Sequence, residues 1–281
     1  MKSSKSLLAK LGATFLMALS SAGLMAAGCE THTSGFTVLA NQAVTITAAT
    51  VSGDVGTFQA PPTGSVTQTN STIDGAIHVG DAAAVQAFNA FLEDYDALAE
   101  VPCDEVLTGT LAGVTLPPGV YCFDAAATLT GVLTLDGPTN GTWLFKIGEG
   151  GTGALTGTDF SVVMAGGAQE CNVVWWVAEA ATLTDSNFIG TILAGAAITL
   201  TRGTFHGNAW AKADVTITET AVVGCESRHG TGQKKEKCNQ GVGNGPEDCD
   251  PGNSNQGDDS NSNDENGGTP GNPGRGGGNN P

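Results

Sequence analysis

The chain has 281 residues, with 28 acidic against 11 basic side chains and a formal net charge of −17. This charge excludes nucleic-acid binding, which requires a basic face that releases counterions from phosphates. Glycine is abundant, at 41 residues, and aromatic residues are only 6% of the chain. That composition is typical of short strands and tight turns, and it argues against a helical bundle.

The first 28 residues have the pattern of an export signal. Three lysines lie among the first ten residues, and the apolar stretch over 11–25 is too short for a stable membrane span. It ends in "LMAAGC", so Cys29 either follows a cleaved secretory signal or becomes the acylated first residue of a lipoprotein. The second interpretation is favoured, because removing Cys29 leaves six cysteines, an even number. We therefore expect an exported protein, secreted or held at the cell surface or outer membrane, with a lipid anchor as its single membrane contact.

Residues 36–56 and 80–100 predict different secondary structures. The first stretch, "FTVLANQAVTITAATVSGDVG", alternates small polar and apolar residues in short runs, which indicates short strands. The second has no glycine or proline after Gly80, and its apolar residues recur at spacings of three and four. Asp81 suits the helix N-cap. One amphipathic helix is predicted over 81–100, packed on the flank of the domain.

Strands resume at about Thr108 and lead into a regular repeat over 182–218. Leu183, Leu200 and Ile217 follow one another at steps of 17 residues (200 − 183 and 217 − 200), and each lies between two threonines. A step of this length with three short strands is one coil of a β-solenoid, whose coils stack about 4.8 Å apart. The three apolar residues are predicted to stack inside.

The threonines that flank these apolar residues are predicted to form two external columns, because side chains alternate along a strand. A column of threonines suits two roles. Threonine is β-branched and favours strands, so the column is a regular way to build a solenoid. A flat array of methyl and hydroxyl groups also suits contact with ordered water or with a periodic solid. The columns contain Thr182, Thr199 and Thr216, and Thr184, Thr201 and Thr218; Thr45, Thr47, Thr128 and Thr130 have the same local pattern.

A second face of the solenoid is predicted to be apolar. Trp176, Leu193 and Trp210 share the 17-residue step, and their preceding neighbours are expected to point inward. An external apolar stripe of this kind needs a cover, and the helix over 81–100 is the candidate.

The sequence from about residue 35 to 225 resembles the ice-binding-like family of bacteria and fungi. The residues that carry the resemblance occur in the family's order: "FTVLA", "TVSGDVG", "HVGDAAAVQAF", "LPPGVYCF", "CNVVWWVAEAATLTDSNFIGTILAGAAITL" and "FHGNAWA". The resemblance implies an all-β fold with one long helix, a right-handed, three-faced β-solenoid flanked by that helix. It also implies that the first coil stacks against the last, which would bring Thr45 and Thr47 beside Thr216 and Thr218.

The resemblance further implies adsorption to ice, without catalysis or a cofactor, through a Thr–Ala/Gly–x–Thr/Asn motif at a turn between strands. The matching stretches are "TDSN" (184–187), "TRGT" (201–204) and "TETA" (218–221). The ice-binding residues predicted in this way are Thr45, Thr47, Thr182, Thr184, Asn187, Thr199, Thr201, Thr204, Thr216 and Thr218.

The second motif position departs from the family pattern. Asp185, Arg202 and Glu219 occupy it at the 17-residue step, so they are expected to stack as a column of charges joined by ion pairs. Charges in the middle of the face would disrupt ordered water and favour a surface adhesin that binds a matrix polymer. Charges at its edge favour ice binding.

The sequence offers little support for an enzyme or a metal site. The histidines lack metal-ligand spacing, His206 is expected to be exposed and alone, and "GEGGTG" (148–153) lacks the βαβ context of a nucleotide-binding motif. The carboxylates lie scattered across turns, so a polysaccharide-modifying solenoid enzyme is the least favoured alternative.

The last segment, 226–281, has almost no apolar residues and is predicted to be a disordered acidic tail. Its stretch 248–259 resembles a calcium loop but lacks the final glutamate.

The spacing of the cysteines favours two local disulfides, Cys103–Cys122 and Cys238–Cys249. Cys171 and Cys225 would then remain, about three coils apart and hence roughly 14 Å along the solenoid, which is too far for a bridge. These expectations conflict, and the sequence does not show which of them fails.

Overall fold

The computed structural model of the chain describes residues 35–225. The predicted signal segment, Cys29, the acidic tail with its calcium-like stretch and the pair Cys238–Cys249 lie outside these residues.

Residues 35–225 form parallel strands, one α-helix and one 3-10 turn. Within them, no helix is long and apolar enough to cross a membrane. Helix α1 covers Ala82–Ala99, and the 3-10 turn covers Glu170–Asn172. The strands are β1 Phe36–Ala40, β2 Ala43–Thr47, β3 Thr50–Ser52, β4 Asp54–Thr57, β5 Ser65–Thr69, β6 Thr72–Asp74, β7 Ile77–Val79, β8 Glu105–Val106, β9 Val114–Leu116, β10 Gly119–Phe123, β11 Ala127–Asp136, β12 Trp143–Ile147, β13 Leu155–Ala165, β14 Val173–Val177, β15 Ala181–Ile189, β16 Thr191–Ala194, β17 Ile198–His206, β18 Ala209–Ala211 and β19 Val215–Val223.

The strands stack into a β-solenoid whose coil order differs from the chain order. One sheet runs β7-β4-β1-β18-β16-β14-β12-β10-β8, and the other runs β5-β2-β19-β17-β15-β13-β11-β9. The chain therefore starts in the middle of the stack, builds one end, and then crosses through α1 to the opposite end. From there it winds back until β19 pairs with β2, which places Thr216 against Thr45 and Thr218 against Thr47. The predicted contact between the first and last coils is confirmed.

The long strands of the second sheet supply two of the three faces. β2 pairs with the first half of β19, and the separate strand β3 pairs with its second half. Each long strand turns at a central residue with positive φ, such as Asp185 (φ 51). We call the side formed by the first halves the threonine face and the side formed by the second halves the third face.

The core follows the predicted repeat. Leu183, Leu200, Ile217 and Ile46 lie in register across four strands, and all four are buried. Trp175 also points inward and stacks on Phe145, with ring centroids 3.9 Å apart. The 17-residue step therefore predicted the internal ladder correctly.

Helix α1 covers the apolar face, as the sequence predicted. Asp81 caps it by accepting a hydrogen bond from the Ala84 amide at 2.9 Å, which also lowers the pKa of the Asp81 carboxyl. The apolar side of the helix packs on Trp176, Leu193 and Trp210 in one buried cluster. The Trp176 indole donates to the Tyr95 carbonyl at 2.9 Å, so helix and sheet are joined by hydrogen bonds as well as by packing.

A fully buried lysine, which the sequence did not single out, holds the last turn of α1. The Lys146 ammonium, on β12, donates to the carbonyls of Ala99 and Val101, each at 2.8 Å, and lies 2.7 Å from the Glu149 carboxylate. Carbonyls at a helix C-terminus lack partners within the helix and attract cations. Lys146 satisfies one such carbonyl, that of Ala99, together with the carbonyl of Val101 just beyond the helix, and so fixes the end of α1 to the solenoid.

Two disulfides join described residues. Cys103–Cys122 is confirmed. The expectation that Cys171 and Cys225 lie too far apart is wrong, because they form a disulfide with their Cα atoms 5.5 Å apart. The reason is the length of one loop. Residues 166–172 connect β13 to β14, whereas the equivalent connection from β15 to β16 is the single residue Gly190. The longer connection lets Cys171 extend along the coils to reach Cys225.

Candidate functional site

The threonine face carries two straight columns of threonine side chains. The first column joins β11, β13, β15, β17, β19, β2 and β5, and the second joins the last six of these strands. The structure places every predicted column residue except Thr130 in a column; at Thr130 the strand register shifts. The columns are Thr128, Thr156, Thr182, Thr199, Thr216, Thr45 and Thr67, and Thr158, Thr184, Thr201, Thr218, Thr47 and Thr69.

These threonine side chains are regularly spaced and available to solvent. Neighbouring coils are about 4.8 Å apart, and the two columns are about 7 Å apart, so seven coils span roughly 29 Å. All thirteen side chains are exposed or half-buried. Among residues 35–225, no protein group forms a hydrogen bond with any of these thirteen hydroxyls. Their hydrogen-bonding capacity is therefore free for water.

A third column, of small residues, borders the first threonine column. Backbone hydrogen bonds and strand pairing stack Ala154, Ala180, Ala197, Asp214, Ala43 and Ser65. Asp214 is the one charge in this series, and its carboxylate accepts a hydrogen bond from the Ala43 amide at 3.0 Å. This third column lies two positions before the threonines of the first column, and alanine or serine occupies it everywhere except at Asp214. The sequence-based prediction did not include it.

The opposite border of the threonine face is a column of residues in the left-handed backbone region. Here two consecutive side chains point outward, and the strand turns toward the third face. We call this turn the corner. The predicted charged column lies at this border: Asp159 (φ 49), Asp185 (φ 51), Arg202 (φ 57), Glu219 (φ 50), Ala48 (φ 50) and Asn70 (φ 50).

Within this border, Arg202 and Asp185 form a bidentate ion pair. The Arg202 Nε–Asp185 Oδ1 distance is 2.6 Å, and the Arg202 Nη2–Asp185 Oδ2 distance is 2.8 Å. The hydrogen bond from Arg202 lowers the pKa of the Asp185 carboxyl, and the same bond raises the pKa of Arg202. Glu219 contributes through its charge, which raises the pKa of Arg202 further. The predicted ladder is confirmed for Asp185 and Arg202, and within residues 35–225 no ion pair joins Glu219 to Arg202.

The left-handed conformation at Glu219 predicts a stabilising substitution. An L-residue with a Cβ is disfavoured there by roughly 1–2 kcal/mol, whereas glycine is tolerated at an entropic cost of about 0.5–1 kcal/mol. We expect Glu219→Gly to raise the free energy of unfolding by about 0.5–1 kcal/mol in urea denaturation. Glu219→Ala removes the same charge and keeps the strained Cβ, so it should gain less. Equal stability of the two variants would contradict a cost of the backbone conformation.

Hydroxyl groups support the corner from inside. Ser186 donates to the Thr184 carbonyl at 2.8 Å, and Thr220 donates to the Thr218 carbonyl at 2.9 Å. Ser71 repeats the contact with the Thr69 carbonyl at 2.8 Å. These bonds satisfy carbonyls beside the left-handed residue, where the strand turns.

Beyond the corner, the third face carries the fourth motif position. Asn187 and Thr204 were predicted to bind ice as the fourth residue of the motif, and the structure places them across the corner from the threonine columns. There they lie in a register of Ser161, Asn187, Thr204, Ala221, Thr50 and Thr72. The Thr204 hydroxyl donates to the Asn187 amide oxygen at 2.9 Å.

Two further polar groups bear on the sequence predictions. His206 was expected to be alone, which is wrong, because its Nδ1 lies 3.2 Å from the Glu170 carboxylate on loop 166–172. The one cluster of possible metal ligands within residues 35–225 is Cys103, Cys122 and Glu149. Its two sulfurs are bonded to each other, so this cluster offers no thiolate ligand.

Comparison with known proteins places this geometry in context. The model of the Ice-binding-like family matches residues 38–223. A curated ice-binding protein from Nostoc sp. (strain HG1) is 38% identical over 130 residues, which are 45% of this chain and 47% of the Nostoc protein. The matched part thus spans about half the length of that relative.

Solved structures that are similar to this chain are also of ice-binding proteins. The ice-binding protein of the Antarctic ascomycete Antarctomyces psychrotrophicus has a TM-score of 0.62 at 33% identity, covering 68% of this chain and 95% of its own. An ice-binding protein from an Antarctic biological consortium has a TM-score of 0.62 at 28% identity, covering 80% of this chain and 99% of its own.

Proposed function

The chain belongs to the ice-binding-like family, and on this basis we propose that it adsorbs to ice through the threonine face and slows ice growth or recrystallisation. One observation carries the proposal. Thirteen threonine side chains stand in two straight columns, and no protein group within residues 35–225 uses their hydroxyls. The columns themselves contain no charge, so ordered water can extend across them.

The position of the charges supports ice over the adhesin alternative. Asp185, Arg202 and Glu219 lie in the left-handed column, at the border of the threonine face and outside its columns. The adhesin hypothesis needed these charges within the face.

The other parts of the proposal concern catalysis and location. We propose a non-catalytic protein without a cofactor, exported from the cell, with Cys29 as the acylated residue if it is a lipoprotein. All three basic residues of the solenoid have acidic partners: Lys146 with Glu149, Arg202 with Asp185 and Lys212 with Asp96. This pairing leaves the solenoid without a free cation for an anionic polymer, which supports ice as the partner.

Replacing threonines in the middle of the face tests the site. We expect Thr199→Tyr/Thr201→Tyr to lose at least tenfold in ice-recrystallisation inhibition, because two rings would stand above the flat array and hold ice away. Thr115→Tyr is the control. Thr115 is an exposed threonine outside the threonine face, because it pairs with Thr134, which lies beyond the corner of β11. Circular dichroism and the melting temperature would show that each variant is folded.

Two results would contradict the proposal. A folded parent protein without activity at micromolar concentration would reject ice binding itself. An active parent whose activity survives the double substitution would reject the threonine face as the site.

A further inference from the structure

The two ends of the solenoid are closed in different ways. At the end formed by β8 and β9, which we call the closed end, the segment between these strands carries Leu107 and Leu111, and both are buried in the core. At the other end the last coil consists of β5, β6 and β7, and within residues 35–225 no strand lies beyond it. We call this coil, residues 65–79, the open end. Its three strands have no β-sheet partner on their outer side.

The core ladders stop at the open end with apolar side chains in contact with water. Ile77 follows the fully buried Val55 in register and is 44% exposed. Val66 and Ile73 end two other ladders of the core and are half-buried. Edge strands with exposed apolar side chains promote pairing with another chain unless charges or a covering segment prevent it.

The open end is also nearly uncharged in an otherwise acidic molecule. Asp74 is the one acidic residue among residues 65–79, and none of them is a lysine or an arginine. The closed end, by contrast, has Asp104 and Glu105 next to each other. Two copies of a chain with a net charge of −17 repel each other least where the local charge is low. Contact between copies is therefore favoured at the open end.

The neighbouring segments of the chain are poor covers for this end. After removal of the signal, residues 29–34 lead into β1, and a new strand on the open end would lie three coil steps away, or about 14 Å. A segment of this length reaches about 20 Å when extended, which leaves too few residues for pairing. Residues 226–281 have Val242 as their one large apolar residue. A second copy of the chain, in contrast, brings an apolar edge of its own.

Strand β5 has the hydrogen-bonding pattern for antiparallel pairing with a second β5. The backbone groups of Ser65 and Thr69 bond to the residues that flank β2. Because alternate residues of a strand bond to the same neighbour, the amides and carbonyls of Val66 and Gln68 point to the free edge. Val66 of each copy can exchange two hydrogen bonds with Gln68 of the other, which places Thr67 opposite Thr67 of the second copy.

We propose that the open end binds a second copy of the chain through this pairing of β5 with β5, in an end-to-end dimer with twofold symmetry. Directly opposite residues of an antiparallel pair have their side chains on the same side of the sheet, so the two threonine faces point in the same direction. The first threonine column then continues from Thr67 into that of the second copy and doubles in length. The dimer itself needs no ice, whereas the benefit of a longer face rests on the proposed function.

The size of the open end sets the strength of the contact. It offers roughly 15 residues per copy, fewer than the about 20–30 of a stable interface. We therefore expect a reversible dimer with a dissociation constant in the micromolar range or weaker. Helix α1 starts beside β7 and runs toward Lys146 on β12, away from the open end, so it leaves the edge clear.

Substitution of one exposed apolar residue at each end tests the dimer. Sedimentation velocity of the exported chain, with residues 226–281 present, would measure the monomer–dimer equilibrium up to about 0.5 mM. We expect Ile77→Asp to weaken dimerisation at least tenfold, because its carboxylate would be desolvated close to Asp74 of the second copy. Val106→Asp is the matched control, since Val106 is 53% exposed on β8 at the closed end, and it should change the equilibrium less than twofold. Equal losses, a loss in Val106→Asp alone, or a parent that stays monomeric would overturn the inference.

Proline at position 66 tests the strand pairing itself. Val66→Pro removes an amide that points to the free edge and leaves the bonds to the coil of β2 intact. We expect it to weaken dimerisation at least tenfold, and Val66→Ala, which keeps the amide, to weaken it less than threefold, with all variants folded by circular dichroism. Equal effects of the two, or a dimer that forms only after residues 226–281 are removed, would overturn the inference. A dimer without ice activity would reject the proposed function alone, and an active monomer would reject this inference alone.

Discussion

Replacing Lys146 by methionine is expected to lower the free energy of unfolding by about 3–5 kcal/mol. Methionine keeps most of the aliphatic stem and removes the ammonium. The Ala99 and Val101 carbonyls would then lose charge-assisted hydrogen bonds of 2.8 Å at the end of α1. The contact with the Val101 carbonyl is buried and the contact with the Ala99 carbonyl is part-buried. A buried carbonyl left without a partner costs about 1–3 kcal/mol.

Urea denaturation followed by tryptophan fluorescence would measure this loss, with Lys212→Met as the control. Lys212 also reaches α1, through Asp96 at 3.4 Å and the ring of Tyr95, but its side chain is 29% exposed. The control should cost less than about 1 kcal/mol, as exposed ion pairs do. Similar losses in the two variants would show that the buried position of Lys146 contributes nothing extra.

Removing the second disulfide is expected to cost about 4 kcal/mol. Cys171 and Cys225 are 54 residues apart in sequence, and the loop-entropy relation gives about that value for a loop of this length. We expect Cys171→Ser/Cys225→Ser to show this loss in urea denaturation under oxidising conditions. The variant should also release loop 166–172 from the coils it spans, which hydrogen exchange of that loop would detect.

A second variant separates the disulfide from the ion pair beside it. Glu170→Gln removes the charge that contacts His206 at 3.2 Å and keeps the disulfide. Because both side chains are exposed, this change should cost less than about 1 kcal/mol. A loss in Glu170→Gln as large as that in the double cysteine variant would assign the stabilisation to the ion pair instead.

The solenoid could be predicted from the sequence where the coils have equal lengths. From Leu183 to Ile217 the 17-residue step is unbroken, and it located the core ladder, the threonine columns and the stripe beneath α1. Thr67 and Thr69 were missed because the step from Thr45 to Thr67 is 22 residues (67 − 45), lengthened by the loop that contains "PPTGS". An insertion of this kind hides a column from any search at a fixed period.

Long-range contacts between different coils could not be predicted. The disulfide of Cys171 depends on how far loop 166–172 extends, which strand spacing does not show. Lys146 had a weak signal, a lone cation in the apolar run "WLFKI", but its partners lie about 45 residues earlier, at the end of α1. The sequence located the corner through its motif. It did not show the left-handed backbone at that point, which separates Asn187 from the threonine columns.

The order in which the coils stack has a consequence for biosynthesis. The strands made first, β1 to β7, dock on β18 and β19, which are synthesised last. These first strands also pair with one another, as β1 does with β4 and β2 with β5. The end of the solenoid that they form can join the remaining coils only after β18 and β19 have emerged. Pairing between segments so distant in sequence slows folding. A chain truncated before Val215 would lose β19, with which β2 and β3 pair, and β18 alone would hold the first coils to the rest of the solenoid.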